Sequence, residues 1–278
     1  MEFELSIANA PLGEKAKDFA RRNIPTWAYE LLRKSYHEGR RYFIGPRTFP
    51  HIHRVFINGI SYQMEVGGPV EYDRVSTWLG EKEYVSNILD KIKPMDNVYD
   101  IGAYTGSHSL AFAMMAKYGN VYSFDPDPFC ITALRRNLEL NQITNVKVFN
   151  IALWDTDTCL ELHADKIEGN ASRSKSKNEK LNSGFSNKLS VRATTIKTLI
   201  KGNIIPHPDI VKIDVEGVGL RVLQGMGEYV SPKHIFVEIH PEYGEDPSTV
   251  YNFLACRGYR LTFLNKRKSE FLTQFNLQ

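Results

Sequence analysis

The stretch VYDIGAYTGSHS, Val98 to Ser109, decides the fold. An apolar run closes on one acid, Asp100, and two glycines four residues apart, Gly102 and Gly106, follow it. This reads as a buried strand, a tight turn and the start of a helix. Open α/β sheets bind ligands at such points, outside the carboxyl ends of their strands where the topology switches. Glycine lets the backbone turn tightly there and approach a ligand without side-chain obstruction.

Outward from that turn the chain alternates strand and helix. NVYDI and NVYSF are strands, SHSLAFAMMAKYG and DPFCITALRRNLELN are helices, and VKVFNIAL is a third strand. After an interruption come DIVKID, the helix GLRVLQGM and HIFVEI, then the helix PSTVYNFLACRG and the strands YRLTFL and EFLTQF. Strands apolar on both faces and alternating with helices predict a mostly parallel sheet covered on both sides, with the last pair as an antiparallel edge. Upstream, EKEYVSNILDKI is a helix, and RVFINGISYQMEV is a hairpin turning at Asn58-Gly59. IPTWAYELLRKSYHEGRR, with Trp27, Leu31 and Leu32, has the pattern of an amphipathic helix and is expected to pack on its own domain rather than on a membrane. The expected division is an appendage at 1–80, made of a helix and a β-hairpin, and an α/β domain at 81–278. The interruption, Glu168 to Lys188, is rich in Ser, Asn and Lys and reads equally as a solvated connector or a substrate-contacting lid.

Composition narrows the function. With 278 residues, 42% hydrophobic and 24% charged, the chain can build a proper core, and a net charge of +3 does not by itself argue for nucleic acid. Cys130, Cys159 and Cys256 are far apart and form no CxxC or Cys/His ligand spacing, which fits a reducing, cytoplasmic setting. The first residues lack the basic start and apolar core of a signal peptide, and the run LAFAMMA is too short to span a bilayer.

The second strand ends YSFDPDP, placing Asp125 and Pro126 where an acid can accept both hydroxyls of a ribose. NIALWD, with Ala152 and Leu153, follows the third strand and is placed to wall in an adenine ring. The NAD fingerprint G-x-G-x-x-G is broken by Tyr104, and neither a Walker-type loop nor a G-x-S-x-G elbow occurs. Glycine turn, acid and third strand end, in that order, point to S-adenosylmethionine as the cofactor.

Together, VYDIGAYTGSHS, YSFDPDP, LRRNLELNQITNVKVFNIAL, RATTIKTL, IVKIDVEGVGLRVLQG and FVEIHP resemble the FkbM family of S-adenosylmethionine-dependent methyltransferases, over roughly Glu81 to Pro241. KIDVEG followed by VLQG is the most specific part. The resemblance implies a class I methyltransferase fold, Rossmann-like with a seven-stranded mostly parallel sheet, and O-methylation of a hydroxyl on a sugar, glycolipid or polyketide-like product. This chain departs from the family in having Tyr104 where Asn is frequent, Asp125-Pro126 where Glu-Pro is usual, and Gly219 where an acid commonly stands. The expected cofactor set is Glu81, Asp100, Gly102, Ala103, Tyr104, Gly106, Ser107, Asp125, Pro126, Ala152 and Leu153.

For catalysis, Asp214 ends the fourth strand with Glu216 just beyond, and Glu238 and His240 end the fifth, on one side by two-residue alternation. His240, with a reference pKa near 6.5, is expected to be the general base or to orient the acceptor. At least one of the four is expected to cap a helix or to pair with Lys212 or Lys233. Asp214, Glu238 and His240 are ligand types for Mg²⁺, but nothing in their spacing demands a metal and none is expected. The leading function is a small-molecule or glycan O-methyltransferase, in which a homo-oligomer would be compatible. An RNA methyltransferase is a second reading, with Arg173, Lys175, Lys177, Lys180 and Lys188 as phosphate contacts, although EIHP is not the segment used on exocyclic amines. A non-catalytic donor-binding domain is the third.

Overall fold

The computed structural model describes Pro25 and residues 48–164, 173–175, 187–267 and 270–278. The chain divides into a unit Met1–Thr48 and a unit Phe49–Gln278. The expected amphipathic helix at 24–41 lies outside the described residues except for Pro25. The expected boundary at residue 80 falls inside the second unit.

That unit opens with strands β1 (His51–Ile57) and β2 (Ile60–Val66), joined as expected at Asn58-Gly59. Both turn residues have positive φ, 44° and 75°, the condition for a two-residue turn matching the strand twist. Helix α1 (Pro69–Thr77), a 3-10 turn Trp78–Gly80 and helix α2 (Lys82–Leu89) follow. Then come β3 (Asn97–Ile101), α3 (Ser107–Met115), β4 (Asn120–Phe124), α4 (Pro128–Leu140), β5 (Val146–Phe149), β6 (Ala152–Leu153), β7 (Thr158–Ala164), β8 (Arg173–Lys175) and β9 (Asn187–Thr194). The unit continues with α5 (Ile196–Lys201), β10 (Ile210–Ile213), α6 (Gly219–Gly225), β11 (His234–Ile239), α7 (Pro247–Ala255), β12 (Tyr259–Lys266) and β13 (Phe271–Leu277).

Seven strands form the central sheet in the order β12-β13-β11-β10-β3-β4-β5. The run from β11 to β5 is parallel, and β13 and β12 close the other edge antiparallel. Chain order reverses between β3 and β10, the switch point at which such sheets bind ligands. Strand alternation sorts two apolar layers. Val98, Val121, Ile210 and Phe236 face the layer built with the hairpin, α2, α3 and α4, while Tyr99, Tyr122, Val211 and Ile235 face the layer built with α5, α6 and α7. Asp100, Lys212 and Glu238 therefore stand on the hairpin side of the sheet.

The hairpin is tied to that side by side-chain amides one helical turn apart on α4. Asn137 Oδ1 accepts from Glu65 N at 2.8 Å, Asn141 Oδ1 from Gln63 N at 2.7 Å, and Asn141 Nδ2 donates to Gln63 O at 2.7 Å. These bonds give β2 the partners that an exposed sheet edge would lack.

Two expectations change. The third strand is not continuous: β5 stays in the central sheet, and β6 leaves to form a second sheet, β6-β9-β7-β8. The break falls at Asn150, whose amide donates to Asp125 O at 3.0 Å and Pro126 O at 2.9 Å and so serves the neighbouring turn. Within the Ser/Asn/Lys-rich interruption, Arg173–Lys175 forms β8 antiparallel to β7, and the rest lies outside the described residues apart from Asn187 and Lys188 of β9.

Candidate active site

The glycine turn is built first against the protein itself. Gly102 has φ +79°, and a Cβ there would lie 1.8 Å from the carbonyl oxygen of Asp214. Its bareness lets the turns after β3 and β10 touch, which is a different reason from ligand approach. Gly106, at φ +96°, precedes α3, where a Cβ would press on Leu134 at 3.0 Å. Asp100 is buried on the hairpin side of the sheet. Its Oδ1 lies 3.3 Å from Lys212 Nζ, with both side chains fully buried, and its Oδ2 accepts from Ser109 at 2.5 Å.

A cavity of about 230 Å³ lies at the carboxyl ends of these strands. Of the expected cofactor residues, Glu81, Gly102, Ala103, Tyr104, Ser107, Asp125 and Pro126 line it. Asp100 and Gly106 support it from behind. Ala152 and Leu153 are not brought to it, because both are buried in apolar clusters on the far side of the break after β5.

The two acids of YSFDPDP divide their duties. Asp127 caps α4 by accepting from Phe129 N at 2.8 Å. Asp125 faces the cavity, its Oδ2 accepting from Tyr104 N and its Oδ1 from Asp127 N, each at 2.9 Å. Each oxygen keeps a lone pair for a ligand hydroxyl. Burial pushes the Asp125 carboxyl up to about 6, against the pull of those two backbone donors.

All four expected catalytic residues line the same cavity. The register explains why. Lys212 pairs with Asp100 on one side and with Phe236 on the other, so one step of two residues further brings Gly102, Asp214 and Glu238 into a row, with His240 beyond. Asp214 takes the expected lysine: its Oδ2 is 3.2 Å from Lys212 Nζ, and its Oδ1 is 3.7 Å from His240 Nε2. Burial works to raise the Asp214 carboxyl, but the Lys212 ammonium and the His240 imidazole hold it well below the usual carboxylate range. Glu238 is the reverse case. Burial, then the charges of Asp214 and Glu81, push it well above that range. Burial lowers His240, but the carboxylates of Asp214, Glu270 and Glu245 outweigh it and the net shift is upward.

Several groups at the site escape sequence reading. Arg74 on α1 lines the cavity with its guanidinium 5.0 Å from the Tyr104 ring centre. Trp78 packs its ring 5.6 Å from that of His108, which burial, then the Lys212 charge, holds down to about 3 and therefore neutral. From the antiparallel edge, Arg267 binds Glu81 at 2.8 Å, and Glu270 Oε2 lies 3.9 Å from His240 Nδ1. Burial, then the Asp214 and Glu270 charges, push Glu81 up to about 7. Glu245 holds the fifth strand end: its Oε2 accepts from His240 N at 3.0 Å, and its Oε1 from Gly219 N at 2.6 Å. A Cβ at Gly219 would stand 3.1 Å from that Oε1, so the missing acid at 219 leaves room for Glu245. Only the Pro69 start of α1 carries a local sequence signal. The others depend on sheet order.

The strand order, the switch-point turn and the carboxylate-lined cavity define a class I methyltransferase. The sequence profile of the Methyltransferase FkbM domain matches residues 100–261, and the chain belongs to that family. Among curated proteins it is similar to the hexuronic acid methyltransferase AglP of Haloferax volcanii, 24% identical over 200 residues that cover 72% of this chain and 78% of that protein. Among solved structures it is similar to methyltransferase FkbM of Methylobacillus flagellatus KT, with TM-score 0.47, 14% identity, and 74% of this chain covered. This chain spans about half of that one, 52%. It is also similar to a precorrin-6y C5,15-methyltransferase of Geobacter metallireducens GS-15, with TM-score 0.42, 14% identity, and 71% and 89% of the two chains covered. Among the described residues no helix is long and apolar enough to cross a membrane.

Proposed function

We propose that the chain transfers a methyl group from S-adenosylmethionine to a hydroxyl of a glycan, with a uronic acid residue as the favoured acceptor class. The observation that carries this is the single cavity shared by the glycine turn, Asp125 and the polar ends of β10 and β11. The donor fits that lining. Asp125 keeps one free lone pair on each oxygen toward the cavity for the two ribose hydroxyls. Acids outnumber cations around the space, which suits a donor carrying a sulfonium and an ammonium. The name of the Haloferax relative supports the acceptor class.

The donor supplies an electrophilic methyl, and its sulfur leaves as a neutral thioether when the acceptor oxygen takes that methyl. The chain's own task is placement, because in-line positioning supplies much of the rate in such a displacement. Asp214, Glu216 and Glu238 shape the acceptor side. His240 Nε2, facing Asp214 Oδ1, is the group we assign to receive or orient the hydroxyl proton as the C–O bond forms. Glu238 Oε1, buried without a hydrogen bond and lining the cavity, is available to a polar group of the acceptor.

The test is a calorimetric titration with S-adenosylmethionine, S-adenosylhomocysteine and NAD. Saturable one-to-one binding of the first two and none of the third is expected. Absence of heat with the first two, on folded protein, removes the reading.

A further inference from the structure

Sequence spacing supplies no reason for a metal in this chain, but the fold does. Asp214, Glu238 and His240 each present one ligand atom, and the three atoms lie within 4.8 Å of one another. Two of them lack a hydrogen bond. Glu238 Oε1 and His240 Nε2 are buried without a hydrogen bond, on residues 3% and 6% exposed that both line the cavity. Buried polar atoms of this kind are rarely left unpaired, since each such atom costs about 1–3 kcal/mol.

The geometry favours an ion over a water. Asp214 spends Oδ2 on Lys212 and leaves Oδ1 facing His240 Nε2 at 3.7 Å. That gap is too long for a hydrogen bond. An ion at about 2.2 Å from both would see that pair at roughly 115°, and the wider spacings, up to 4.8 Å, would draw in as the side chains turn onto it. With the imidazole proton on Nδ1, the side facing Glu270 at 3.9 Å, all three converging atoms are acceptors. A water offers only two hydrogens, whereas a divalent cation satisfies all three. Around the point, Lys212 is held by Asp100 and Asp214, and Arg267 by Glu81 and Glu270.

We infer that Asp214, Glu238 and His240 form a binding site for a divalent cation of the Mn²⁺ or Mg²⁺ kind. Two carboxylates with one imidazole suit Mn²⁺ better than the all-oxygen preference of Ca²⁺. The binding site stands on geometry alone, and its part in catalysis rests on the acceptor reading above. With an ion bound there, His240 would be a ligand, and the ion would supply positive charge that lowers the pKa of a hydroxyl beside it.

The experiment uses the full chain, freed of metal with a chelator and titrated with MnCl₂, with free Mn²⁺ read by electron paramagnetic resonance. One ion per chain should bind in the submillimolar range, and Glu238→Gln and His240→Ala should each weaken it at least tenfold. A control for folding is the melting curve of each variant in chelator. In the wild type, the His240 ring resonances should broaden first as Mn²⁺ is added, a readout that needs no variant. No saturable binding, or one-to-one binding that survives both substitutions and leaves the His240 resonances sharp, overturns the inference. Donor calorimetry on the same samples separates the two ideas. Donor affinity without Mn²⁺ binding removes the metal alone, and Mn²⁺ binding without donor affinity removes the methyl-transfer reading alone.

Discussion

Asp125 shows how one residue can set the conditions for binding. Its oxygens are held by two backbone donors, and burial raises its pKa to about 6. Only the ionised form offers both oxygens to a ribose, so a bound donor favours ionisation and lowers the pKa of the complex. Donor affinity should therefore fall as pH drops through about 6 and level off above it. Asp125→Ala should weaken the donor by about 1–3 kcal/mol at pH 7.5 and flatten that pH profile, as read by calorimetry. A wild-type affinity constant from pH 5 to 7.5 would place the ribose elsewhere. His240 makes a different demand, because it serves the acceptor side. His240→Ala should leave donor affinity within about twofold while turnover falls roughly 10²–10⁴-fold, the range for a lost acid–base group. A loss under tenfold at saturating acceptor would move the role to another group.

At the scale of elements, the hairpin and the glycine turn are joined through α4. Asn137 is fully buried, accepts from Glu65 N in β2 and donates to Thr105 O in the turn at 2.9 Å. Asn137→Ala would strand the half-buried Glu65 N–H and the buried Thr105 carbonyl, so chemical denaturation should show a loss of about 1–3 kcal/mol. A loss under about 0.5 kcal/mol would mean that Asn137 is not what joins the two elements. The hairpin and the parallel strands were readable in sequence, the first from Asn58-Gly59 and the others from apolar runs between glycine turns. The break after β5 was not, because Asn150 is a short polar residue whose role, binding Asp125 O and Pro126 O, exists only once the next strand is in place. Helix α1 was hidden because Gly67-Gly68 reads as the end of a strand, and the Pro69 start was the one usable cue. That omission removed Arg74 and Trp78 from the expected site.

The whole unit from Phe49 to Gln278 shares one pair of apolar layers. Val55, Ile57, Tyr62, Met64 and Val66 of the hairpin are buried in the same layer as Tyr84, Phe112 and Phe236. A fragment 81–278, cut at the boundary expected from the sequence pattern, would expose that face. It should be poorly soluble or show no cooperative thermal transition, whereas residues 49–278 should unfold in one step. A fragment 81–278 with a sharp transition near that of the longer piece would restore the hairpin to the status of an appendage. The candidate site divides along the same line. Residues at the ends of parallel strands, such as Asp125, Asp214 and His240, were legible from position alone. Those contributed by α1 and by the β12–β13 edge, such as Arg74 and Glu270, were not, because only tertiary packing brings them over the strand ends. On the proposed reading, this one cavity moves a methyl group onto a sugar hydroxyl. Isotopically labelled S-adenosylmethionine should be incubated with uronic-acid oligosaccharides, wild-type chain and Asp125→Ala, and the products mapped by mass spectrometry. Label in an O-methyl group on the uronic acid, abolished or strongly reduced by the substitution, is the expected result. Label on nitrogen or carbon, on RNA instead of the sugar, or equal transfer by Asp125→Ala would contradict it.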